Sequence, residues 1–176
     1  MKIIYFLLLC VCLSASAVFS QDEPKFYTKI GGDLPSFSVK DLDGKEFNTK
    51  DLKGKVVFIY LWATWCPYCL DEMPAMEKEI WQKYKSSSDF VMLAIARGES
   101  EDRISAYKTK YAYSFPMASD PKREIFDLFA DGGIPRIYVA GIDGKILFQT
   151  VGYDPEEISI ESKLIEKELK KIKKKE

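Results

Sequence analysis

The chain has 176 residues, with 26 Lys plus Arg against 27 Asp plus Glu, a net charge of −1 and no histidine. That length suits one domain with a leader, and the near-neutral charge leaves no electrostatic footprint for nucleic acid. The missing histidine excludes Ser-His-Asp and Cys-His catalysis and any histidine metal site.

Met1-Lys2, an apolar run over residues 3–13 and the small residues Ser14-Ala15-Ser16-Ala17 have the layout of a signal peptide. The run is short for a bilayer span. Residues 1–20 are read as that signal, with cleavage after Ala17 or Ser20. Leu9 before Cys10 and Val11 before Cys12 lack the small residue of a lipoprotein signal, and an uncleaved N-terminal membrane anchor is the alternative. Export to the periplasm or cell envelope would place the domain where disulfides persist.

Residues 21–32 are polar, include Gly31-Gly32, and read as a flexible lead-in to a domain over 33–176. Residues 34–39 alternate as a half-buried strand does, Asp43-Gly44 turns, and Glu46-Phe47-Asn48 returns, which predicts a hairpin. Residues 50–54 make a turn or helix stub. Residues 56–62 are β-branched and aromatic throughout, the pattern of a strand buried on both faces. Helical periodicity follows through Met73, Met76, Ile80 and Tyr84, with a kink expected at Pro74. Residues 90–96 form a second apolar strand, which completes a right-handed βαβ unit.

Ser100 is placed to cap a helix reaching Tyr111. Residues 115–118 look extended, and Asp120-Pro121 is expected to open a helix over 122–129 that Asp131-Gly132-Gly133 ends. Strands over 136–140 and 145–149 flank the turn Gly141-Ile142-Asp143-Gly144. A last amphipathic helix over 156–173 is expected to turn Ile160, Leu164, Ile165, Leu169 and Ile172 inward. Its Lys-rich end, residues 170–175, reads as a solvated helix terminus favoured by the dipole. No repeat and no second domain are visible.

The chemistry lies where the first buried strand meets the first helix, in Trp65-Cys66-Pro67-Tyr68-Cys69. With Cys66 at the helix start, Cys69 lies one turn on and on the same face, close enough for a disulfide. Pro67 fits the first helical position. Free amides and the helix dipole around Cys66 favour thiolate, the nucleophile of disulfide exchange. Half a zinc site would need further ligands, and Cys10 and Cys12 lie in the leader, so neither metal nor cofactor is expected. An inert structural disulfide would constrain the unfolded chain little over three residues.

These residues resemble the thioredoxin superfamily. With the lead Trp62-Ala63-Thr64 and Glu72-Met73-Pro74 behind them, they are similar to the exported TlpA/ResA-type disulfide reductases. Weaker matches run from Leu34-Pro35-Ser36-Phe37 to Asp143-Gly144-Lys145. The resemblance implies an α/β, thioredoxin-like fold: a central mixed sheet flanked by helices, with an N-terminal β-hairpin. It implies a cis bond at Ile134-Pro135 facing the disulfide, and a client-binding rim of Trp65, Pro67, Tyr68, Ile134 and Pro135. Where thioredoxin carries a buried carboxylate, this chain has Tyr60, so Glu72 is the candidate for proton transfer, against a role facing solvent. A peroxiredoxin's placement of Pro and Thr is absent, and Cys-Pro-Tyr-Cys also occurs in glutaredoxins, which lack the Trp-Ala-Thr-Trp lead. The expected function is reduction of disulfides in client proteins by a monomer, recharged by a membrane-borne dithiol donor. A disulfide oxidase or isomerase, or a non-catalytic binding module, is the alternative.

Overall fold

The protein was analysed as a computed structural model, which describes residues 24–174. The predicted leader, with Cys10 and Cys12, lies outside them. Among the described residues no helix is long and apolar enough to cross a membrane.

Strands β1 (Ser38–Lys40) and β2 (Glu46–Asn48) form the antiparallel hairpin, followed by a 3-10 turn over Thr49–Leu52. Strand β3 (Val56–Trp62) is buried along its whole length. Its period of two divides the core. Val56, Phe58, Tyr60 and Trp62 enter one apolar cluster, and Val57, Ile59 and Leu61 the other. Each such side chain contributes about 1.5–3 kcal/mol on burial.

Helix α1 (Pro67–Ala75) leads through a π-helical turn, Met76–Trp81, into a last turn α2 (Gln82–Tyr84). Pro74 does not end α1. The wider winding begins two residues after it, where the Met76 N–H reaches both Glu72 and Met73 carbonyls. Strand β4 (Phe90–Arg97), helix α3 (Glu101–Tyr111) and strand β5 (Met117–Asp120) complete the parallel part. Strands β6 (Arg136–Ala140) and β7 (Ile146–Val151) add an antiparallel edge, and helix α4 (Glu157–Lys173) closes the chain. The sheet order is β5-β4-β3-β6-β7, with β3, β4 and β5 parallel.

One cluster packs α1, α3 and α4 against the sheet. The other is covered by the hairpin and by residues 125–130, including a 3-10 turn over Phe126–Leu128.

Several expectations differ from what is found. Over 24–32 the lead-in is tied to the domain: Tyr27 N–H donates to Phe129 O at 2.8 Å, and Gly31 N–H to Ile146 O at 2.7 Å. Its polar composition reflects exposed side chains on a paired backbone. The helix expected over 122–129 shrinks to the 3-10 turn, because Arg123 takes a left-handed φ of 63° and Asp120 accepts the amides of Ile125 and Phe126 instead. Ser100 occupies the N-cap of α3, but its side chain makes no capping bond. On α4, Ile160 is exposed, whereas Glu161, Ser162, Ile165 and Glu168 are buried. Ile165, Leu164 and Leu169 do face the core, so the inward stripe keeps these residues, loses Ile160 and takes in Glu161, Ser162 and Glu168.

Gly133 has φ +69°, and a Cβ there would lie 2.9 Å from Pro24 carbons and 3.0 Å from Val151 Cγ2. Gly133→Ala is therefore expected to lower stability by about 2 kcal/mol or more, from left-handed strain plus overlap. Urea unfolding would read this as a lower midpoint at unchanged slope.

Candidate active site

Strand β3 ends at Trp62, and the next four residues carry the chain to the start of α1. Cys66 is the N-cap, with extended dihedrals (φ −91°, ψ 108°) that aim its Sγ back over the first turn. There Sγ accepts the Cys69 N–H at 3.2 Å, and Pro67 follows at the first helical position. The two cysteines are joined as a disulfide with Cα atoms 5.3 Å apart. Cys66 is 3% exposed and Cys69 not at all.

The approach loop is pinned from the β4–α3 connection and the first turn of α3. The buried Glu99 takes the Thr64 N–H at 2.7 Å on one oxygen and the Thr64 hydroxyl at 2.5 Å on the other. Arg103, four residues on, lies 3.0 Å from Glu99 Oε1 and donates to Thr64 Oγ1 at 2.9 Å. Sequence reasoning gave neither residue a role. Glu99 and Arg103 look like a surface i,i+4 pair, and their partner is 35 residues away from Glu99 in the chain.

The outer side of the pair is apolar and open. Trp65 is 57% and Tyr68 60% exposed, and Pro67 is exposed between them. The Arg97 guanidinium lies 5.9 Å from the Trp65 ring centre and 4.4 Å from that of Phe126.

The Ile134–Pro135 bond is cis, Pro135 is buried, and Ile134 packs against both clusters, one of which holds Cys66 and Cys69. Arg136 pairs with Leu61, so Pro135 sits beside the end of β3 from which the cysteine loop departs. Arg136 is fully buried. Its Nε and Nη2 donate to the Gly132 carbonyl at 2.9 and 2.6 Å, Nε reaches Gly133 O at 3.0 Å and Nη2 reaches Lys25 O at 3.2 Å. Three carbonyls thus hold the cation, and the cation holds the proline loop.

Beneath Cys69 the site is dry and acidic. Glu72, one turn along α1, is buried rather than facing solvent. Burial raises its carboxyl to about 8, opposed by a hydrogen bond from Tyr60 and reinforced by Glu157. The Tyr60 hydroxyl also donates to the Cys69 carbonyl at 3.4 Å, and its own ionisation is pushed well up by burial and by Glu72. Glu161 of α4 is fully buried too, raised to about 9 by burial, then by Glu72 and Glu157. Glu72 Oε2 and both Glu161 oxygens have no hydrogen-bond partner. Nothing in the sequence marked Glu161, since a glutamate on a charged helix normally faces water. Among the described residues no cluster of three or more Cys, Asp or Glu is arranged to hold a metal.

A family model described as the AhpC/TSA family matches residues 30–148. The thiol-disulfide oxidoreductase ResA of Bacillus anthracis is 32% identical over 160 residues, 89% of this chain and 91% of that protein. ResA of Bacillus subtilis strain 168 is 31% identical over 122 residues, 69% of this chain and 67% of that one. The solution structure of a candidate protein disulfide isomerase from Bacteroides thetaiotaomicron has TM-score 0.81 at 34% identity, covering 84% of this chain and 94% of that one. The crystal structure of a candidate thiol:disulfide interchange protein DsbE from Chlorobium tepidum has TM-score 0.65 at 25% identity, with 78% and 96% covered.

The raised Glu72 carboxyl links stability to pH. Between its unfolded value near 4.5 and about 8 the folded chain holds a proton that the unfolded chain releases, so this contribution falls as pH rises. Relative to wild type, Glu72→Gln should therefore gain up to about 1.4 kcal/mol per pH unit across that window. Urea unfolding of the oxidised proteins from pH 5 to 8 checks this. Parallel stability curves would mean that Glu72 is ionised in the fold.

Proposed function

This chain belongs to the AhpC/TSA family, and from that premise we propose that it is a thiol-disulfide oxidoreductase that reduces disulfides in client proteins outside the cytosol. The fold is thioredoxin-like. The observation that carries the reading is the sulfur of Cys66 on the Cys69 amide at the α1 N-terminus, with Cys69 one turn behind and out of solvent. The relatives named thiol-disulfide oxidoreductase support the reaction class.

In the reduced protein, Cys66 is the thiolate, held by the first-turn amides and the dipole. It attacks one sulfur of a client disulfide. A Cys66–client bond forms, and the other client sulfur leaves as thiolate. Cys69 then loses its proton and attacks Cys66 Sγ, and the second client sulfur leaves. The client has gained two electrons and the Cys66–Cys69 disulfide has re-formed. Glu72 is the group proposed to take the Cys69 proton, since it is the carboxyl one turn away on the same buried side. A dithiol donor, membrane-borne in this reading, must return the two electrons. Trp65, Pro67, Tyr68, Ile134 and Pro135 form the rim for the client; the exposed aromatic surface beside Cys66 supports this.

The leader layout of residues 1–20 supports export. What surrounds Cys66 supports the reductive direction. Pro67 and Tyr68 bring no cation to stabilise the thiolate further, and strong oxidants are those whose reduced form is specially stabilised. A potential roughly between −200 and −270 mV is expected, near glutaredoxins and thioredoxin. Equilibration with glutathione buffers and an insulin-reduction assay test it. A potential above about −150 mV with efficient oxidation of reduced clients would assign an oxidase instead.

Two further outcomes are expected. Limited alkylation of the reduced protein near neutral pH should label Cys66 before Cys69. Cys69→Ser should accumulate mixed disulfides with clients, while Cys66→Ser should accumulate few, as separated on non-reducing gels. Preferential labelling of Cys69 would reverse the assignment of roles.

A further inference from the structure

The C-terminal helix brings into the core, on the sheet face that carries the cysteines, a carboxyl that packing does not call for. Glu161 is fully buried and neither of its oxygens has a donor. A buried polar group left without a partner pays its full desolvation penalty, and an apolar side chain of similar size would be free of that cost. Glu72, from α1, shares the predicament: it is 2% exposed, and its Oε2 is unpaired.

The groups around the two carboxyls come from several elements. Tyr60 of β3 offers one hydroxyl, which donates to the Cys69 carbonyl at 3.4 Å and favours the Glu72 carboxylate. Cys69 itself lies on α1. Glu157 of α4 adds a further acid, whose Oε1 accepts from Thr150 of β7 at 3.2 Å. Tyr107 of α3 and Tyr113 act on Tyr60. No Lys or Arg is among the charges that act on Glu72 or Glu161. With no cation to offset them, two neighbouring buried carboxyls cannot both ionise at neutral pH. The hydrogen available for their three unpaired oxygens is a carboxyl's own.

We propose that Glu161 is a positioning residue for disulfide exchange: it keeps its proton and donates it as a hydrogen bond to Glu72 whenever Glu72 is a carboxylate. This rests on the reading of Glu72 as the proton-transfer group. During recharging, a thiolate of the donor attacks Cys66 Sγ, the Cys66–Cys69 bond breaks, and Cys69 leaves as thiolate. Glu72, neutral at pH 7, gives that sulfur its proton, and the carboxylate left behind is held by the Glu161 O–H. In the forward step the carboxylate takes the Cys69 proton back. Glu161 is fully buried with both oxygens unpaired, and such burial disfavours its carboxylate, which suits the group that does not let go.

The test compares the full chain with Glu161→Leu, which removes the donor, and Glu161→Gln, which keeps an N–H in its place. The probe is dithiothreitol, and recharging of the oxidised protein is followed by acid quench and thiol counting across pH 6 to 10. The Glu72 carboxyl is followed in parallel by 13C NMR. Glu161→Leu should raise the Glu72 midpoint by about one pH unit and slow recharging at pH 7 by about tenfold. Glu161→Gln should stay within about threefold of wild type in rate. A Leu variant with the wild-type midpoint and rate overturns the proposal, as does a Gln variant that shifts as far as Leu. Should the Leu variant fail to fold, the wild-type spectrum decides: Glu161 must be neutral at pH 7 and titrate above Glu72. Glu72→Gln separates the two readings. If it recharges at the wild-type rate, the proton-transfer role of Glu72 fails. If it is slow while Glu161→Leu is not, only the role of Glu161 fails.

Discussion

A sulfur atom caps a helix, and the site is built around that contact. Cys66 Sγ stands where a serine or aspartate oxygen usually sits, accepting an amide of the first turn of α1. The cap requires extended dihedrals at Cys66, helical ones from Pro67, and an approach loop that does not drift. Burial of β3 on both faces supplies the fixed point from which that loop departs. Glu99 then fastens Thr64 through backbone and side chain together. Both are needed, because a cap whose approach wanders by an ångström is no longer a hydrogen bond.

The two sides of the disulfide differ in solvent, and so in chemistry. Outward lie Trp65 and Tyr68, large apolar surfaces left in water. Inward lie Tyr60, Glu72 and Glu161 without water access. The Cys66 sulfur, at the helix N-terminus, lies toward the outer side. On the inner side burial favours a neutral carboxyl over an ionised one. The fold treats its buried cation differently. Arg136 cannot shed its proton, so three backbone carbonyls are turned toward it, and the loop carrying Pro135 is shaped in the process. Acids adapt by protonation, whereas the guanidinium makes the backbone adapt.

Much of this was legible in the residues themselves. The run Val56–Trp62 with continuous β-branched and aromatic character can only be a doubly covered strand, and it is one. The spacing of Cys66 and Cys69, with Pro67 between, places both sulfurs at a helix start because local geometry alone decides that. The hairpin over 38–48 and the strand pair after Pro135 follow in the same way from short-range turn chemistry. Where a single residue diverted the backbone, as Arg123 does with its left-handed φ, the expected helix over 122–129 did not form.

Local pattern therefore determined the elements, their order and the reactive dithiol. Tertiary structure alone decided which charged residues went inside. Glu99, Arg136 and Glu161 look like surface residues in the one-dimensional chain, and of the α4 stripe Ile165, Leu164 and Leu169 reach the core while Ile160 stays in water. The physical reason is that a charged group is buried according to what faces it, and part of what faces it comes from far along the chain: Thr64 for Glu99, Glu72 for Glu161, and Lys25 beside the nearby Gly132 and Gly133 for Arg136. Periodicity reports the average preference of a residue type for water. Only the folded chain brings together the partner, or the proton, that overrides it.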